Sequence, residues 1–210
     1  MSKNMNNAKL YICRDYEFDP LALLPSLPKE RAEKVCRLKI QKDKKNCAGA
    51  YILLKYALKQ EGIGNFEIRI GQNGKPYIKD IPLFFNLSHT DCGFICAVSQ
   101  SEIGADIQVI KEPSDILLKR VCSEKELQKV TNAENPAREF TQLWVLKEAA
   151  IKKNAGVLSD YAKYEFSKEN TDFYKYGAHF VSFETNDCVI GLCGEFEKIE
   201  TFDLNFCKVI

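Results

Sequence analysis

Apolar residues recur on a helical period in two stretches of the chain. The clearer one runs from Asn135 to Lys153, where Phe140, Leu143, Leu146, Ala150 and Ile151 fall in one sector of a 3.6-residue repeat. Asn135 is placed to cap its first turn and Pro136 to occupy a position that needs no N–H donor. Lys152 and Lys153 close the last turn before Gly156. The second stretch carries Ala48, Tyr51, Ile52, Leu54, Tyr56 and Leu58 and stops at Gly62 and Gly64. A further helical segment opens at Pro28, and Ser123 to Glu126 form a capping box ahead of a short helix. Elsewhere the period shortens to two. Strands are expected at Lys9–Cys13, Phe66–Ile70, Leu83–His89, Gly93–Ser99 and Ile103–Ile110, then near Tyr164–Ser167, His179–Glu184 and Cys188–Cys193. Asn73-Gly74 marks a hairpin turn, and the three prolines of Pro20–Pro28 an irregular connection with at most one helical turn. The order strand, helix, strands occurs twice, giving an α+β chain of two similar lobes, residues 1–102 and 103–210.

Three features stand out from the pattern. Lys147 falls inside the apolar sector of its helix, where a lysine needs a partner, and an acidic group in a cleft is the expected one. Asp106 interrupts an apolar strand, where burial requires a counter-charge. A bound cation or a structural ion pair would supply it. Gln108, two residues on, points to the same face. Trp144, Glu148 and Lys152 form one ridge at the border of the apolar sector, either as a surface ion pair or as the wall of a cleft.

Composition narrows the partners. With 210 residues, 45% hydrophobic and a formal charge of +1, the chain carries no field that would draw it to nucleic acid. It has no apolar run of about 20 residues, and Met1 to Asn7 form no secretory core, so a cytoplasmic protein without membrane attachment is expected. The nine cysteines are then expected as free thiols. Cys92–Cys96 and Cys188–Cys193 lack zinc spacing. Lys34, Arg37 and Lys45 belong to a basic region suited to a phosphate dianion, or to a solvated helix face. His179 has no chemical company; His89 follows Ser88 at a strand end.

Four motifs stand in order: Gly74-Lys75-Pro76, Asn86-Leu-Ser-His89, Gly104-Ala-Asp106-Ile-Gln108, and Trp144-x-x-Lys147-Glu148-Ala149-x-x-Lys152. With these spacings the chain, from about residue 30 to residue 153, resembles the 4'-phosphopantetheinyl transferase superfamily. The likeness is to its larger single-chain class, the type that activates surfactin synthetase, and within it to the Trp-x-x-Lys-Glu-Ala subgroup. The resemblance implies a monomeric pseudo-dimer of two lobes with coenzyme A in the cleft between them. It implies Mg²⁺-dependent transfer of the phosphopantetheine arm to a serine of an apo acyl or peptidyl carrier protein, releasing adenosine 3',5'-bisphosphate. Asp106 and Glu148 would hold the metal, with Gln108 where many members have glutamate. Glu148 would act as base and Lys152 would contact the phosphates. Lys75 and Pro76 would border the adenosine, Ser88 and His89 the phosphates, and Lys45, assisted by Lys34 and Arg37, the 3'-phosphate. The rival expectations are a non-catalytic module that binds coenzyme A or a carrier protein, and a metal-dependent phosphohydrolase, which would want further acidic ligands.

Overall fold

The computed structural model describes residues 6–14, 17–168, 170–185, 187–206 and 209. The chain runs β1 (Asn7–Cys13), α1 (Lys29–Arg37), α2 (Gln41–Gln60), β2 (Ile68–Ile70), β3 (Pro76–Ile78), β4 (Phe84–Thr90), β5 (Gly93–Ser99) and β6 (Ile103–Val109). It continues with α3 (Asp115–Val121), α4 (Glu124–Thr131), α5 (Pro136–Lys153), β7 (Asp172–Lys175), β8 (Ala178–Thr185), β9 (Cys188–Gly194) and β10 (Lys198–Leu204). One four-stranded sheet has the order β10-β1-β5-β4 and the other β6-β9-β8-β7, while β2 and β3 form a separate hairpin. The mixed α+β architecture expected from the sequence is present.

Alternation along the strands builds the layers. On β5, Phe94, Cys96 and Val98 join the core under α1 and α2, whereas Ile95 and Ala97 join a second core shared with Ile103, Ala105 and Ile107 of β6 and Ile190 and Leu192 of β9. That second core lies between the two sheets. The opposite face of the second sheet meets Phe140, Leu143 and Leu146 of α5. The molecule is therefore layered helix, sheet, sheet, helix. In the first sheet the opening strand β1 pairs with β5, which pairs with β4. In the second the opening strand β6 pairs with β9, which pairs with β8. Helices separate the opening strand from the others each time, α1 and α2 in the first half and α3 to α5 in the second. β10 departs from this repeat, returning from the second sheet to lie parallel to β1 in the first.

Two glycines let α5 approach its sheet. A Cβ on Gly104 would collide with the Ala149 carbonyl and lie 2.6 Å from Lys153 N; one on Gly191 would lie 2.7 Å from the Val145 backbone. A helix packed this closely on β6 brings its border residues within reach of Asp106.

Asn135 caps α5 through a bond accepted from Arg138 N at 3.0 Å, with Pro136 in the first turn, and Ser123 and Glu126 form the expected capping box. A single 3-10 turn, Leu24–Ser26, occupies the proline-rich connection. Asn73 and Gly74 take positive φ where β2 turns into β3. Three features depart from the sequence reading. Residues 164–166 carry no strand, α3 went unmarked, β7 and β10 lie in a tail read as strand-like but outside the runs named in it, and Cys92 and Cys188 form a disulfide. That bridge joins the β4–β5 turn to the start of β9, 96 residues apart in sequence. Cys96 and Cys193 are free and buried.

Candidate active site

Asp106 is 2% exposed, at the centre of β6 and on the face turned to α5. Its Oδ1 accepts from Lys152 Nζ at 2.6 Å and from Ser88 Oγ at 2.7 Å, and its Oδ2 from Gln108 Nε2 at 3.1 Å. Lys152 Nζ reaches Ser88 Oγ as well, at 3.1 Å. The edge strand β4 is held against β6 by Asn86 Oδ1, which accepts from Ala105 N at 2.9 Å. Four of the expected site residues, Ser88, Asp106, Gln108 and Lys152, thus share one hydrogen-bonded network from β4, β6 and α5. In this state the counter-charge that Asp106 needs is the ammonium of Lys152.

Glu148, one helical turn before Lys152, does not pair with it. Glu148 Oε1 accepts from the Tyr161 hydroxyl and, at 3.5 Å, from Trp144 Nε1. Burial, and then the neighbouring Glu148 carboxylate, push the Tyr161 phenol well above its ordinary pKa; the charge of Asp106 acts in the same direction. Both carboxylates therefore lie within electrostatic range of one tyrosine.

His89 stands at the exposed end of β4. Desolvation of its ring, followed by the charge of Lys152, lowers its pKa from 6.5, against opposing fields from Asp106 and Asp43. Asp43 lies in the first turn of α2, so that helix start is beside His89. Lys42, in the same turn, pairs with Asp91 in the β4–β5 connection.

Lys75 donates to Glu102 and, at 2.6 Å, to the Lys153 carbonyl at the end of α5. Lys75, Pro76, Asn86, Leu87 and Lys152 line a common cavity of about 240 Å³. Lys45 lies with its ammonium 5.7 Å from the centre of the Phe18 ring. Lys34 and Arg37 are exposed on α1, and among the described contacts neither meets Ser88, His89, Asp106 or Glu148.

The structure moves Lys147 out of the cleft. It is 1% exposed and pairs at 2.7 Å with Glu126 Oε2 in the core behind α5, while also donating to the carbonyls of Val121 at 2.7 Å and Tyr161 at 3.4 Å. Glu126 also accepts from Ser123 N and Phe166 N. His179 is a structural residue, bonded to Asp172 Oδ1 and the Phe196 carbonyl. Sequence reasoning missed Tyr161 and Glu102, the partners of Glu148 and Lys75. No periodicity or motif marks either, because both meet their partners through tertiary packing.

Among the described residues no three His, Cys, Asp or Glu side chains gather as a metal cage. Asp106, Glu148 and Gln108 offer a sparse set of oxygen donors. Such a set fits Mg²⁺, which retains water and shares ligands with a bound phosphate, and not a metal that needs a complete protein shell.

A model of the family described as the 4'-phosphopantetheinyl transferase superfamily matches residues 102–189, a span holding Asp106, Gln108, Glu148 and Lys152. The chain is similar to the 4'-phosphopantetheinyl transferase gsp of Aneurinibacillus migulanus, 30% identical over 137 residues that cover 62% of this chain and 56% of the relative. It is 31% identical to a 4'-phosphopantetheinyl transferase of Bacillus subtilis over 144 residues, 65% of this chain and 64% of that protein. To the 4'-phosphopantetheinyl transferase psf-1 of Bacillus pumilus it is 40% identical over 83 residues, 38% and 36% of the two chains. The matched stretch spans less than two thirds of each relative's length. The stretch that matches the 4'-phosphopantetheinyl transferase superfamily thus carries Asp106, Gln108 and Lys152 on one network with Ser88 of β4, and Glu148 one helical turn before Lys152.

Proposed function

We propose that the protein transfers the 4'-phosphopantetheine arm of coenzyme A to a serine of an apo acyl or peptidyl carrier protein, leaving adenosine 3',5'-bisphosphate. The observation that carries this reading is the buried strand aspartate, Asp106, bonded to Ser88 and Lys152, with Glu148 one turn away on the helix that supplies Lys152. A binding module would have no use for two carboxylates beside a phosphate site, since each repels the ligand. The twice-repeated strand order supports a pseudo-dimer of lobes 1–102 and 103–210, with β10 strapping the second lobe back onto the first. The cleft between them is the proposed coenzyme A site, and a monomer is sufficient to form it. No described helix is long and apolar enough to cross a membrane; cytoplasmic residence remains part of the proposal.

The residues divide the work by charge. Lys75 and Pro76 border the adenosine. Lys45, assisted by Lys34 and Arg37 of α1, meets the 3'-phosphate. Ser88 and His89 meet the pyrophosphate, and Lys152 neutralises charge as the bisphosphate leaves. Asp106, Glu148 and the amide oxygen of Gln108 would hold Mg²⁺. Bound there, the ion would neutralise the pyrophosphate and favour its cleavage. The carrier serine is a poor nucleophile until its proton is taken, and Glu148 is the base. The serine oxygen forms a bond to phosphorus, the bond from phosphorus to the departing bisphosphate breaks, and the serine proton passes to Glu148.

The test combines the purified protein with coenzyme A, Mg²⁺ and a panel of apo carrier proteins, and weighs each carrier by intact mass spectrometry. A gain of one phosphopantetheine arm, absent with Glu148→Ala, is expected. Coenzyme A binding without a gain on any carrier would replace transfer with simple binding.

A further inference from the structure

Both hydrogen bonds accepted by Glu148 fall on the same oxygen, Oε1. A glutamate at the border of a helix has several staggered rotamers open to it, so something must select the one that serves the site. Tyr161 is placed to do so. It is 4% exposed and lies in the 3-10 segment Leu158–Lys163 that follows α5. Its hydroxyl donates to Oε1. The indole N–H of Trp144 acts on the phenol oxygen as well as on Glu148, so the three groups brace one another.

The backbone of Tyr161 is fixed from the other side. Its carbonyl accepts from Lys147, itself pinned by Glu126 and the Val121 carbonyl. Two consecutive residues of α5 thus hold one tyrosine, Lys147 by its main chain and Glu148 by its side chain. This gives the buried Lys147–Glu126 pair a consequence at the site. It anchors the segment that delivers the phenol.

We propose that Tyr161 is a positioning residue that ties Oε1 of Glu148 and leaves Oε2 to face the cation and the carrier serine. The proposal rests on the reading of Glu148 as base and metal ligand. Side chains that orient a metal ligand typically cost about 10- to 100-fold in activity or metal affinity when removed.

The experiment uses Tyr161→Phe in the full chain, which removes the hydroxyl and keeps the ring. Trp144 is the one tryptophan of the sequence and touches Glu148, so its fluorescence during a Mg²⁺ titration with coenzyme A present reports the site without turnover. With Tyr161→Phe, kcat is expected to fall about tenfold, the KM for coenzyme A to stay within about twofold, and the Mg²⁺ midpoint to rise severalfold. An unchanged kcat and midpoint beside an active wild type would overturn the role of Tyr161 alone. A raised KM with kcat intact would also overturn it, by making Tyr161 a binding residue. A wild type with neither transfer nor a Mg²⁺-dependent signal would overturn the reading of Glu148, and this proposal with it.

Discussion

Replacing Lys147 by methionine tests the least expected interaction in the second half of the chain. The ammonium and the Glu126 carboxylate are 1% and 0% exposed, 2.7 Å apart. Methionine fills most of the lysine volume, so little of the cost is a cavity. What is lost is the counter-charge of a buried carboxylate, together with the donor to the Val121 and Tyr161 carbonyls. Breaking a buried pair from one side costs roughly 3–5 kcal/mol. Glu126 would keep Ser123 N and Phe166 N as donors, so the lower end, about 3 kcal/mol, is expected. For a chain of this size that lowers Tm by about 6–12 °C. Adding Glu126→Gln should recover part of the loss, because an amide oxygen still accepts from both N–H groups and carries no charge. Urea unfolding followed by circular dichroism supplies the free energies for the double-mutant cycle. A single variant within about 1 kcal/mol of wild type, or a double variant no more stable than the single, would refute the assignment of this pair as a buried, coupled interaction.

Three further outcomes are expected. Gln108→Glu places a second carboxylate beside Asp106; it should lower metal-free stability by about 1 kcal/mol and tighten Mg²⁺ binding severalfold, read by thermal unfolding and isothermal titration, and a variant with unchanged affinity would remove Gln108 from the metal shell. His89 has a folded pKa below 6.5, so as pH falls through about 6.5 the unfolded chain takes up its proton first and the folded state loses stability toward the folded pKa. His89→Asn should flatten that part of the Tm-against-pH curve, and parallel curves would contradict it. Gly104→Ala puts a Cβ into the α5 backbone; it should cost about 3 kcal/mol or more by overpacking and weaken activity in the surviving fold, and wild-type stability by denaturant titration would show that β6 and α5 are not held as close as described.

How much of this was legible in the sequence depended on whether a residue's partner was local. The capping signals at Asn135 and Ser123 need neighbours only three residues away, and the structure has both caps. The face shared by Asp106 and Gln108 follows from strand periodicity alone, and the structure has their hydrogen bond. The apolar border placed Glu148 and Lys152 on one ridge, but spacing of four suggests a pair that tertiary packing does not make. Lys152 reaches across to β6, and Glu148 turns to a segment thirteen residues on. Lys147 was recognisable as an anomaly, and its partner was even visible as the last residue of a capping box. Nothing local says that Glu126 serves both the cap and the lysine. β10 is polar and exposed on much of its length, so its pairing with β1 leaves little trace in hydrophobic pattern. Cys92 and Cys188 meet only because the two sheets stack.

The geometry of α5 accounts for how one short stretch serves three surroundings. Successive residues on a helix diverge by about 100°, so Lys147 and Glu148 cannot share an environment, whereas Glu148 and Lys152 nearly do. Lys147 points into the core and is neutralised there by Glu126. Glu148, at the border, is tied by Tyr161 and Trp144. Lys152, a turn further on, reaches Asp106 and Ser88 over a β-strand that Gly104 allows to lie close beneath it. The order of charges along the helix therefore follows from its pitch. An ammonium locked in the core anchors the segment behind, which steadies the carboxylate at the border. The second ammonium is left beside Asp106, where, on the proposed function, an arriving pyrophosphate would compete with that carboxylate for it. Of the two lysines, only the one at the cleft can change partners during a reaction, since Lys147 has no solvent-facing route to a substrate.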